Sequence, residues 1–198
     1  MAHNIFFTAD THWGHARIVQ LCDRRIVGSD GELRQFKHVD EMDEVMIQRW
    51  NERIGPKDIV YHLGDFNYKS NAGKYFHRLN GAQKFLLVGN HDSADTYKQP
   101  WSHVYGKKHE YVALKRQFDG QDVVLAHFAQ RVWHSSCHGV WHLYGHSHDK
   151  LPPNGLSFDV GVDGHDFYPW EWSEIKDKIA TLDYKNHPEA HILKKKLG

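Results

Sequence analysis

Five short blocks carry most of the chemistry that can be read in this 198-residue chain: Asp10-Thr11-His12, Gly64-Asp65, Gly89-Asn90-His91-Asp92, Ala126-His127 and Gly145-His146-Ser147-His148. Together they supply carboxylates, imidazoles and one amide, the donor set that suits a pair of divalent transition metals. Asp10 and His12 lie two apart, as do His146 and His148, so in an extended segment each pair faces one side and can reach one ion. Asp65 follows an apolar run, where an unpaired carboxylate is costly to desolvate unless a cation compensates. Asn90 places an amide oxygen beside an imidazole directly after another such run. Each block alone has a plainer reading: a capping Asp, a turn-forming Gly-Asp, an Asn in a left-handed turn. Those plainer readings would have to hold independently at five places, so the expected chemistry is metal-assisted hydrolysis of a phosphoester.

Blocks this dispersed need a sheet whose strand ends converge, and each of them follows a segment that reads as a strand. The apolar run over residues 4–9 predicts a buried first strand, followed by a helix from about 15 to 22 and a polar loop over 28–37. Val39, Met42, Val45, Met46, Trp50 and Ile54 recur at helical spacing, with Asp40, Glu41, Asp43 and Glu44 crowding the first turn and Gly55-Pro56 ending the element. Strands at 58–64 and 84–89, separated by a helix over 72–79, give a βαβ rhythm. The second half reads as strands at 109–115, 123–126, 140–144 and 157–162 with short connections, then a closing helix over 173–182 with Ser173 as its N-cap. The tail with Lys194, Lys195 and Lys196 reads as a solvated end. A second, mixed sheet packed on the first is the economical arrangement.

The length fits one domain spanning residues 1–198. Lys plus Arg and Asp plus Glu are 25 each, which leaves no electrostatic footprint for a polyanion and disfavours duplex nucleic acid as a partner. Cys22 and Cys137 match neither zinc-ribbon nor redox spacing. With no signal-peptide pattern and no apolar run long enough for a membrane span, a reduced cytoplasmic protein is expected.

The pattern Asp-x-His, Gly-Asp, Gly-Asn-His-Asp, His and Gly-His-x-His, complete from Asp10 to His148, resembles the calcineurin-like metallophosphoesterase family. The runs around Asp10 to His15, Trp141 to His146 and Val160 to Asp163 look like a small bacterial and phage branch without a cap domain. The resemblance implies an α/β fold, a four-layer α/β/β/α sandwich with two mixed sheets. It also implies one ion held by Asp10, His12, Asp65 and His148 and a second by Asp65, Asn90, His127 and His146, with Asp65 bridging. Manganese is the first choice, with iron, zinc, nickel or cobalt as alternatives. Such a pair shares a hydroxide of lowered pKa for in-line attack, and His91 stabilises the transition state or protonates the leaving oxygen.

Other residues carry less specific expectations. Arg131, Trp133, His134 and His138 lie on a loop whose ends are pinned near the ligands, so Arg131 and His138, together with His15, are candidates to contact substrate. Asp92 could orient an imidazole or cap the following helix, and His62 reads as core or as a support for a ligand. Tyr68 lies three after Asp65, as does the iron-binding tyrosine of purple acid phosphatases, but His12 departs from that pattern and Tyr68 is set aside. The expected substrate is a small phosphoester such as a nucleotide, with a nuclease on single-stranded or short nucleic acid as the alternative. A non-catalytic scaffold is a second alternative, opposed by the intact set of ligand and catalytic positions.

Overall fold

The computed structural model describes residues 3–69 and 71–192; the tail lysines 194–196, expected to be solvated, lie outside the described residues. In chain order the elements are β1 (Ile5–Thr8), α1 (Ile18–Leu21), β2 (Arg25–Val27), β3 (Leu33–Gln35), α2 (Val39–Arg53), β4 (Ile59–His62), α3 (Ala72–Phe76), β5 (Gln83–Leu87), α4 (Ala94–Tyr97), β6 (His103–Tyr105), β7 (Ala113–Phe118), β8 (Gln121–Ala126), β9 (Trp141–Tyr144), β10 (Ser157–Asp159), β11 (Trp170–Glu171) and α5 (Trp172–Ala180). The first sheet has the order β11-β1-β4-β5-β6, parallel except for β11. The second has the order β10-β9-β8-β7, parallel except for β7. Both sheets are mixed, as expected.

Alternation along the strands sorts side chains between two cores. Phe6, Val60 and Leu86 face α2, where Met42, Met46 and Trp50 meet them. Their neighbours Phe7, Tyr61 and Leu87 turn instead to the second sheet and pack with Phe118, Val123, Leu125, Leu143 and Phe158. Each such side chain contributes about 1.5–3 kcal/mol when fully buried, so a one-residue slip of any central strand would expose several at once. The outer face of the second sheet is covered by the loop after β8 and by chain near the C-terminus. Trp133 packs there with Val124 and Val140, its indole 4.7 Å from the His187 ring, while Ser136 donates to Glu189.

Several local expectations are corrected. Within the expected loop 28–37, β3 pairs with β2 as an antiparallel hairpin closed by a bond from the Gly28 amide to the Glu32 carbonyl (2.8 Å). Arg34 and the Lys37 amide then tie it to Glu41 of α2. The α1 helix is only four residues long, and β7 starts at Ala113 rather than 109. The closing helix starts at Trp172, and its cap is a reciprocal Glu171/Glu174 box instead of Ser173. There the chain turns out of β11, and Arg53 holds the Glu174 carboxylate at 2.6 Å. Strands β6 and β11 were not expected; they are edge strands of three and two residues, too short for a periodic signal, and their pairing partners come from distant sequence. No helix of the described residues is long and apolar enough to cross a membrane.

Candidate metal centre

Four of the five blocks begin just beyond the carboxyl ends of β1, β4, β5 and β9, and the Ala126-His127 block straddles the end of β8. Because β1, β4 and β5 run parallel in one sheet and β8 and β9 in the other, those ends meet along one edge of the sandwich. An isolated parallel bridge between Ala9 and Gly161, with the Val162 amide on the Ala9 carbonyl at 3.1 Å, joins the continuations of the two sheets there. At these ends the backbone leaves extended geometry sharply: Asp10, His12, Asp65, His146 and His148 have φ of 57°, 50°, 57°, 68° and 51°. Left-handed backbone at five non-glycine residues costs about 1–3 kcal/mol each and persists only where the surroundings impose it.

The side chains converge. Ligand atoms of Asp10, His12 and His148 lie within 4.8 Å of one another, and so do those of Asp65, His127 and His146. Asp65 Oδ2 sits between the two groups, 3.5 Å from His12 Nε2 and 3.6 Å from His127 Nε2. Asn90 Oδ1 is 3.0 Å from His127 Nε2. His91 uses its backbone amide on Asp65 Oδ1 (2.8 Å), and its ring stands 5.3 Å from that of His12 at the mouth of the site.

Carboxylates outside these groups hold the loops in place. Asp92 is buried and accepts the amides of Asp65 (2.9 Å), Phe66 (2.8 Å) and Gly89 (2.9 Å), so it neither orients an imidazole nor caps α4, whose cap is Ser93. Asp159 accepts Ser147 Oγ at 2.5 Å and the Asp149 amide at 3.1 Å, bracketing His148. Asp163 accepts His148 Nδ1 at 2.7 Å and takes a two-pronged bond from Arg24 at 2.8 and 2.9 Å. Arg24 is itself 1% exposed and reaches the carbonyls of Asp10 (2.6 Å) and Thr11 (3.1 Å). His62 Nε2 bonds Thr11 Oγ1 at 3.0 Å, and that hydroxyl donates to the Phe66 carbonyl, so this buried imidazole ties the first ligand loop to the second. Sequence reasoning missed Arg24 and Asp159, and it met Asp163 only within a longer run. Nothing in their spacing connects them to the ligands.

Two motif glycines are explained by close approach. A Cβ on Gly89 would collide with the Asp65 carboxylate and stand 2.9 Å from His127 Cε1. On Gly145 it would lie 2.5 Å from the Ala9 Cβ and 2.8 Å from Asp10 Oδ2.

Burial dominates the electrostatics. It raises Asp10 well above the usual carboxylate range and, with help from the Asp92 charge, pushes Asp65 up to about 7. It lowers His12 strongly and His127 to about 3, which keeps their imidazoles neutral. The His127 Nδ1–Leu63 carbonyl contact at 2.8 Å fixes the tautomer and leaves Nε2 as a lone-pair donor. Burial would also raise Asp163, but Arg24 and His148 hold it down at about 2. Asp10 Oδ1 and both ring nitrogens of His12 are buried without a hydrogen-bond partner. Orphaned polar atoms of this kind are costly in a native interior, and a divalent cation would satisfy Asp10 Oδ1 and one of the two His12 nitrogens, so the donor set fits a metal pair.

The three residues expected to contact substrate separate. His15 enters the site: it stacks on Tyr68 with ring centroids 3.8 Å apart and shares a cavity with His12, His91 and His148. Arg131 is exposed and lines a different cavity of about 320 Å³, beside Tyr144, Leu151 and Asn154, whose lining contains none of the clustered ligands. His138 lies at the opposite end of β8, next to Gly139, whose carbonyl accepts Gln121 Nε2 at 3.0 Å. A six-residue strand, about 16 Å at the usual rise, separates it from His127. His138 is therefore withdrawn as a substrate contact. The loop that carries it is anchored outward by Trp133 rather than folded over the ligands.

A family model described as calcineurin-like phosphoesterase matches residues 3–192. An uncharacterized protein of Methanocaldococcus jannaschii is 29% identical over 176 residues, covering 83% of this chain and 85% of that protein. The Gene 66 protein of Mycobacterium phage D29 is 28% identical over 209 residues, covering 91% of this chain and 98% of its own. Among solved structures, a protein of unknown function from Aquifex aeolicus superposes with a TM-score of 0.65 at 21% identity, covering 89% of this chain and 100% of that one.

Proposed function

The chain belongs to the calcineurin-like phosphoesterase family, and from that premise we propose that it is a hydrolase of small phosphoesters, diesters or monoesters, working with two divalent transition metals, manganese first among them. Asp10, His12, Asp65 and His148 would hold one ion, and Asp65, Asn90, His127 and His146 the other. Asp65 suits the shared position because its Oδ2 lies between His12 and His127. Bound ions of this kind neutralise phosphoryl charge and supply an activated water at neutral pH.

The remaining work falls to the protein's own groups. Arg24, Asp163, Asp159 and Asp92 hold the ligand loops so that the donors need no reorganisation at the moment of reaction. Neutral His12 and His127 present lone pairs, and the Leu63 carbonyl keeps the His127 proton on Nδ1. His91 has its main chain anchored on Asp65 and its imidazole facing the cleft, where a ring N–H can donate to the phosphoryl or leaving oxygen.

The observation that carries this reading is the convergence of two donor groups around one carboxylate, with Asp10 Oδ1 and the His12 nitrogens buried and unsatisfied. The test is His91→Ala in protein reconstituted with Mn²⁺. Metal content by elemental analysis should stay at the wild-type ratio, while turnover of bis(p-nitrophenyl) phosphate falls about 10²-fold or more. An unchanged rate removes His91 from the mechanism, and a wild-type protein that takes up no metal removes the reading as a whole.

A further inference from the structure

His91 forms part of the wall of two cavities at once. One, about 450 Å³, is lined by His12, His15, Tyr68 and His148 and carries Arg17 and Lys150. The other, about 350 Å³, lies across Tyr68 and Asn90 and carries Lys69 and Lys108. Among the described residues none of these four cations has a carboxylate partner within 4.0 Å, a state they share with other surface cations such as Lys98 and Arg131; what sets them apart is that they border the cleft. Arg24, Arg34, Arg53 and Arg78, by contrast, each grip an acid. The first cavity contains no carboxylate, and the second contains only Asp92, whose oxygens are committed to backbone amides. A chain with no net charge thus keeps a local excess of positive charge on both sides of His91.

Resting on the reading of this site as a phosphoesterase, we propose that its substrate is an internal phosphodiester with a nucleotide-sized, negatively charged arm on each side of the scissile phosphorus. One arm lies against Arg17 and Lys150, the other against Lys69 and Lys108. Each cavity has the volume that holds a small organic ligand, about 300 Å³ or more, well beyond what a lone leaving-group oxygen requires. The stacked His15 and Tyr68 rings offer a flat wall to one arm, as suits a nucleoside. Lys69 stands 5.2 Å from the centroid of Tyr68, on the side of the second arm. The four side chains are exposed, so they act on charge rather than on sequence, and their contribution weakens with salt.

The test is a series of thymidine dinucleotides hydrolysed at their internal phosphate: TpT, pTpT, TpTp and pTpTp. In Mn²⁺-loaded protein each added terminal phosphate should raise kcat/KM about fivefold at low salt, with pTpTp the best substrate. The double variant R17A/K150A should abolish the gain from one terminal phosphate and keep the gain from the other, and K69A/K108A should do the reverse. Calorimetric titration of protein without added metal should show pTpTp binding more tightly than TpT, with the difference shrinking as salt rises. Terminal phosphates without effect, or two double variants that affect the same end, overturn the proposal. If bis(p-nitrophenyl) phosphate is turned over while the series is flat, only this inference fails. If no ester is turned over, the parent reading fails, and the calorimetric comparison of pTpTp with TpT still decides whether the paired cation sites exist.

Discussion

At the scale of single residues, the site depends on a buried arginine that touches no ligand side chain. The Arg24 guanidinium joins the Asp10 and Thr11 carbonyls to Asp163, and through Asp163 it orients His148. Truncating it would leave a buried carboxylate and two carbonyls without their donor. Arg24→Met, which is apolar and lies beside Met42 and Met46, should therefore cost about 3–5 kcal/mol in guanidinium unfolding. Arg24→Lys keeps the charge but loses the fork and should fall between the two. A methionine variant as stable as wild type would show that the arginine does not hold these loops.

At the scale of elements, α2 carries a liability on its buried face. Asp43 is 1% exposed and accepts the Gly14 amide at 3.2 and 3.3 Å together with a side-chain bond from Tyr75. Burial raises its carboxyl from 3.8 to about 6, outweighing the bonds from Tyr75 and Gly14. A carboxyl with a folded pKa above its unfolded value supports the fold fully below pH 3.8, and that support is lost as pH rises through about 6. Asp43→Asn should then gain stability over wild type by about 2 kcal/mol at pH 8 relative to pH 4. An equal difference at both pH values would remove the titration of Asp43 as the cause.

The turn after β5 makes the opposite point, since it tolerates nothing larger than glycine. Gly89→Ala should displace the Asp65 carboxylate that a Cβ would strike. The variant should lose metal affinity at least tenfold, read by competition with a chelating dye, because the carboxylate proposed to serve both donor groups moves. Wild-type affinity in this variant would mean the two loops separate freely.

Across the whole molecule, two sheets meet at one edge, and much of the polar strain of the fold collects there: left-handed backbone, raised carboxylates and unsatisfied imidazoles. Ligand binding to such a site is folding free energy. Mn²⁺ at about 100 times its Kd should add about 2.7 kcal/mol and raise Tm by roughly 5–11 °C for a domain of this size. A Tm indifferent to Mn²⁺, with chelator-treated protein as the reference, would contradict a built cation site.

The donor blocks, the central strands, the α2 helix and the mixed two-sheet architecture are legible in the sequence alone. Alternating and helical apolar periods are local, and a set of donor residues at five strand ends has few other uses. Edge strands β6 and β11 did not follow, because two or three residues carry no period and β11 pairs with β1 from the other end of the chain, which also moves the start of α5 to the Glu171/Glu174 box. The supporting groups were hidden for the same reason: Arg24 meets Asp163 across 139 positions, and no spacing rule spans that distance. Folding likewise separated His15, which reaches the cleft, from His138, which the packing of Trp133 carries to the far end of its strand. Donor chemistry is carried by residue type and survives as text, whereas placement on a loop is settled by what the loop packs against, which only the tertiary structure decides.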